Sequence, residues 1–123
     1  MSVRERLPDR RASTSITFEV NGLVYVATYS QFPDGGDVGE IFLRNHRVGS
    51  HADIAANDAA VAASLALQFG CPLETLQQAL GRDSRGGAAG PLGHAVDLIQ
   101  DAQHDSKGIV VPDAEGDSSP GGR

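Results

Sequence analysis

Tryptophan is absent from this chain, and cysteine occurs once, as Cys71. A single thiol excludes an intrachain disulfide and any multi-cysteine metal site. Aromatic residues make up 5% of the chain against 40% hydrophobic residues in all. The core is therefore expected to be aliphatic, with small side chains where backbones approach. No apolar run reaches the roughly 18 residues of a membrane span, and no apolar signal core opens the sequence. A cytoplasmic protein is the resulting expectation. The formal charge of −6 argues against a general nucleic-acid binder. Walker, Rossmann, nucleophile-elbow and HExxH patterns are all missing, so no cofactor and no metal site is expected.

Composition divides what remains into three parts. Residues 1–13 are polar and basic, with Arg4, Arg6, Arg10 and Arg11, and read as a flexible arm that buries little. Residues 14–102 carry the periodic patterns of a small domain. Residues 103–123 turn to Gly, Ser, Pro and acids, including Asp105, Asp113, Glu115 and Asp117, and read as a disordered acidic tail. A short apolar run, Ile109 to Val111, interrupts it.

The domain begins with alternation of period two. Ile16, Phe18 and Val20 share one face of a strand, and Asn21-Gly22 supplies the two positive-φ positions of a tight hairpin. A return strand follows from Leu23 to Ser30. Pro33-Asp34-Gly35-Gly36 makes a second turn into a third strand from Val38 to Leu43. The stretch 49–70 is then a helix signal, with Ser50 as N-cap, Asp53 as its acidic box partner and Gly70 as the stop. Ile54, Val61, Leu65 and Phe69 fall on one side of it and alanines cover most of the rest, leaving Asn57, Ser64 and Gln68 as a narrow polar wedge. Such a helix is expected to be buried on more than one side. Pro72 opens a second helix bearing Leu73, Leu76 and Leu80, which Gly81 ends. A third is expected from Pro91 to Ala102. The fold class that follows is α+β: a three-stranded antiparallel meander packed against a central Ala-rich helix and two shorter helices.

Between residues 14 and 100 the only Lys or Arg residues are Arg44, Arg47, Arg82 and Arg85, all in two loops. The first pair stands with His46, Ser50 and His51 at the entrance of the central helix, where free N–H groups favour an anion. This candidate ligand site suits a nucleotide, a nucleic-acid backbone or an acidic protein segment. Arginine in exposed loops has a plainer reading too, as ordinary surface charge. Asp58 falls within the apolar stripe of the central helix; it needs Arg44 or Arg47 as partner unless it reaches solvent. His94 and Asp97 share one helical face, but with His46 and His51 they offer no zinc set. No catalytic residue is assigned, and Cys71 reads as a small residue ahead of a helix.

The order of these elements resembles the TSCPD domain family over about residues 16–99. The likeness is carried by VGEIFLRNHRVGS (38–50), SLALQFGCPLETLQQAL (64–80) and GPLGHAVDLI (90–99). The family occurs at the C-terminus of adenosylcobalamin-dependent ribonucleotide reductases and as small stand-alone proteins. Where it carries Ser-Cys-Pro-Asp, this chain has Ala89-Gly90-Pro91-Leu92, so its cysteine chemistry is not expected here. The resemblance implies a binding or regulatory module that does not reduce ribonucleotides alone. It leaves open a reductase component acting in trans and an oligomerising structural domain. Expected partners are a nucleotide or nucleic acid, a reductase or other protein, or a second copy.

Overall fold

The structure is a computed structural model that describes residues 3–33 and 36–108. Three strands, β1 (Thr14–Val20), β2 (Leu23–Gln31) and β3 (Val38–Asn45), form an antiparallel sheet in the order β1-β2-β3. Asn21 and Gly22 adopt φ of 51° and 81°, the left-handed pair that a two-residue hairpin needs. Asp34 and Gly35 of the second expected turn lie outside the described residues, as do Ile109 to Val111 and most of the acidic tail.

Three helices complete the α+β fold: α1 (His51–Gln68), α2 (Leu73–Ala79) and α3 (Pro91–Gly108). α3 runs beyond its expected end and matches α1 in length, with 18 residues each. The core gathers Tyr25, Ala27 and Tyr29 from β2, Ile41 and Leu43 from β3, and Ala95, Val96 and Ile99 from α3.

α1 sits differently from expectation. Its buried face is Ala56, Ala60, Ala63 and Leu67, whereas Ile54, Val61, Leu65 and Phe69 are 53%, 47%, 40% and 44% exposed. The reason is where the helix lies. It packs on β3, an edge strand, closely enough for its polar side chains to reach that strand's free backbone groups. Ser64 Oγ accepts from the Ile41 N–H and donates to the Ile41 carbonyl, both at 2.9 Å. Gln68 Nε2 donates to the Gly39 carbonyl at 2.9 Å, and an Asp53 carboxylate oxygen accepts from the Asn45 N–H at 2.9 Å. Unpaired backbone groups on a buried strand edge are costly, and here a helix satisfies them. The polar side chains turned to β3 and the small face of Ala56, Ala60 and Ala63 turned to the core leave the bulky stripe facing out.

The ends of α1 follow the sequence signals. Ser50 Oγ accepts from the Asp53 N–H at 3.2 Å. Gly70, at φ 104°, and Cys71 donate their N–H groups to the carbonyls of Leu67 and Ala66, closing a Schellman motif.

The N-terminal arm, read from composition as flexible, is held to the domain at two points. Arg11 grips Glu40 with two hydrogen bonds of 2.8 Å. Near the other end, Arg4 Nε donates to Gln68 Oε1 at 2.7 Å, and the Glu5 N–H donates to the Gln68 carbonyl at 2.7 Å.

Candidate functional site

The entrance of α1 is built around Asp53, which is 2% exposed. One carboxylate oxygen accepts from Arg44 Nε at 3.0 Å and from the Asn45 N–H. The other accepts from Arg44 Nη2 at 2.8 Å and from the Gly49 N–H at 2.9 Å. The backbone N–H groups of Asn45 and Gly49, with Arg44 adding to them, hold the Asp53 carboxyl down at about 2, so it is ionised at neutral pH. An internal anion therefore already occupies the loop where an external one was expected. Arg44 is tied to Asp53, which corrects its pairing with Asp58.

Asp58 is exposed on the outward face of α1, so it needs no buried partner. It lies more than two helical turns beyond Ser50, about 12 Å along the axis. Ser50 is the N-cap. Arg47, whose N–H donates to Asn45 Oδ1 at 2.8 Å, projects an exposed side chain with no ion-pair partner among the described residues. His46 and His51 are exposed beside it, the His46 ring at 3.1 Å from the backbone N and O of Val24. Asn45 Nδ2 is buried without a hydrogen-bond partner in the described residues. The polar surface that remains is thus Arg47, His46 and His51.

The second loop is a compact turn. Arg82 and Ala88 form a bridge, and one Asp83 carboxylate oxygen accepts from the N–H groups of Arg85 and Gly87 at 2.9 Å each. Arg82 forms two short bonds to Asp97, 2.7 and 2.9 Å, and another to the Gln77 carbonyl. Arg82 is the main cause that lowers the Asp97 pKa, with Gln77 assisting. Arg85 stays exposed without an ion pair among the described residues. His94 stacks over Phe18 at 6.4 Å, so its i, i+3 partner Asp97 serves Arg82 instead. No group of three His, Cys, Asp or Glu side chains among the described residues is placed to hold a metal ion.

A cleft of about 360 Å³ opens between α1 and the start of α3, with Tyr25, Ala52, Ala59, Leu80 and Pro91 among its walls. Gly90 borders it, and a Cβ added there would meet nothing within 4 Å. This is where the resemblance places the cysteine of its signature.

Comparison with known proteins gives one consistent answer. The vitamin B12-dependent ribonucleotide reductase of Streptantibioticus cattleyicolor is 38% identical over 73 residues, 59% of this chain and 12% of that protein. The enzymes of the same name from Agrobacterium fabrum and Bradyrhizobium diazoefficiens are 42% identical over 77 residues and 40% over 75. About 60% of this chain is thus similar to a short segment of vitamin B12-dependent ribonucleotide reductases. The chain spans 6% to 12% of the length of these curated relatives. No protein-family model matches it, and neither does a solved structure. No helix among the described residues is long and apolar enough to cross a membrane.

Sequence reasoning singled out Asp58 and passed over Asp53 as a mere capping residue. The available signal was the position of Asp53 three residues after an N-cap and just beyond a strand ending in Arg-Asn. A carboxylate there serves helix and strand together.

Proposed function

We propose that this chain is a non-catalytic binding or regulatory module of the TSCPD kind, acting in the cytoplasm in the setting of deoxyribonucleotide synthesis. The observation that carries this reading is its similarity to a short part of vitamin B12-dependent ribonucleotide reductases. The surface proposed to meet an anionic partner is the entrance of α1. Arg47, His46 and His51 supply the contacts, while Arg44, Ser50 and Asp53 hold the loop in shape. Arg85 stands exposed on the second loop, where Arg82 is paired with Asp97. A nucleotide or a single nucleic-acid strand is the ligand class this favours, because guanidinium and imidazole N–H donors suit phosphate.

Fluorescence or calorimetric titration with nucleotides, single-stranded DNA and RNA tests the reading. Arg47→Gln combined with His51→Gln should weaken binding by about tenfold or more, since charge-assisted hydrogen bonds contribute about 1.5–3 kcal/mol each. Affinity for a strand should fall more steeply with salt than affinity for a mononucleotide. Equal binding by both proteins would remove this loop from the site. The same similarity favours a second reading, a component that acts in trans on a vitamin B12-dependent reductase. Adding the chain to such an enzyme and finding its turnover and nucleotide response unchanged would exclude that reading.

A further inference from the structure

α1 divides its circumference into three. Alanines and Leu67 face the core, Asp53, Ser64 and Gln68 face the edge of β3, and a third side faces water. On that third side His51, Ile54, Asp58, Val61 and Leu65 follow one another at alternating spacings of three and four. That is the seam spacing of a coiled coil. Phe42 is exposed as well, on the face of β3 opposite the buried Ile41, the residue whose backbone Ser64 holds.

We propose that this face is a homodimer interface in which the α1 helices of two copies pair antiparallel about a two-fold axis. Three observations choose a second copy as the occupant. The first is register. α1 runs from His51 to Gln68, and a two-fold axis through its midpoint, between Ala59 and Ala60, sets Ile54 against Leu65 of the other copy. The same axis sets Val61 against Asp58, so Ile54, Val61 and Leu65 each meet a seam residue without any shift of the helices. The second is charge. Parallel pairing would oppose Asp58 to its own copy, whereas the antiparallel register separates the two carboxylates by three residues, about 4.5 Å along the axis. Exposed Ala55 and Ala62 border the seam and let the helices approach. The third is area. Ile54, Val61, Leu65, Phe69 and Phe42 leave 40% to 53% of their surfaces in water, on the order of 400 Å² together. A standard interface buries about 800 Å² per partner, somewhat over half of it apolar, which is close to that amount. Asp58 is the weak point of the seam and keeps the dimer reversible.

The experiment is sedimentation equilibrium on the full chain across micromolar to millimolar concentrations. The expected result is a monomer–dimer equilibrium. Val61→Glu with Leu65→Glu should abolish it while leaving the circular dichroism and Tm in place, because both side chains are exposed. Asp58→Leu should tighten it by about tenfold, as a seam carboxylate is replaced by an apolar residue. In a Cys71→Ser background, mixed Ile54→Cys and Leu65→Cys chains should cross-link to each other in preference to themselves. A monomer at millimolar concentration overturns the proposal, even if some other protein binds this face. A dimer indifferent to the double glutamate variant overturns it as well, and self-linking of the Ile54→Cys chain overturns the antiparallel arrangement. None of these substitutions touches Arg47, so the outcome is independent of the anion-binding reading.

Discussion

Ser64 and Ile41 exchange two hydrogen bonds across the edge of the sheet, the hydroxyl accepting from the strand's N–H and donating to its carbonyl. One side chain thus replaces the two backbone partners that a fourth strand would have provided. Ser64→Ala should strand both groups in a partly buried setting and cost about 1–3 kcal/mol. A lowered urea midpoint with unchanged m would record it. An unmoved midpoint would mean that water takes over both groups.

Gly39 has a packing role of its own. A Cβ at this position would lie 2.6 Å from the Phe32 ring, which is itself buried against the sheet. Gly39→Ala should therefore destabilise by about 1–3 kcal/mol through overpacking. Adding Phe32→Leu should recover part of the loss in thermal denaturation, and failure to do so would place the strain elsewhere.

The charged loop predicts an acid limb in the stability profile. The folded-state pKa of Asp53 lies at about 2, below its ordinary 3.8, so the unfolded chain binds more protons between those values. Stability from this group is fully present above about pH 4 and is lost as pH falls towards 2. Asp97, lowered mainly by Arg82, adds a slope of the same sign. Denaturation followed from pH 6 downwards should show this decline, and Asp53→Asn should be less stable at neutral pH with a shallower acid slope. Parallel acid slopes in the two proteins would contradict the role of Asp53.

Removing residues 1–12 should lower the Tm by several degrees, contrary to what composition alone suggests. The truncation takes Arg11 from Glu40, a carboxylate only 7% exposed, and Arg4 from Gln68. Glu40→Gln introduced into the truncated chain should restore part of the loss by removing a buried unpaired charge. An unchanged Tm after truncation would show that neither contact contributes to stability.

The local elements were readable in the sequence because their causes are local. Asn21-Gly22 demands positive φ, Ser50 and Gly70 delimit a helix, and Ile16, Phe18 and Val20 alternate. The facing of α1 was not readable, because hydrophobic periodicity ranks residues by apolar area. At the edge of β3 the deciding quantity is hydrogen bonding, which turns Asp53, Ser64 and Gln68 to the strand and leaves Ala56, Ala60 and Ala63 to the core. Within the candidate site, the loop and its arginines stood out by their rarity. The bond between Arg44 and Asp53 did not, since it depends on how a strand end and a helix start meet in space. The grip of Arg11 on Glu40 spans 29 positions and leaves no pattern in either segment.

The helical seal on β3 also gives the sheet a polarity. One margin is closed by side chains, and β1 is the other margin, with no cap of that kind among the described residues. Strand addition between two such molecules could only join β1 to β1, producing a six-stranded sheet sealed at both ends. Growth by that route stops at two copies, so the geometry that exposes the apolar stripe of α1 also withholds the repeating edge on which a fibril elongates.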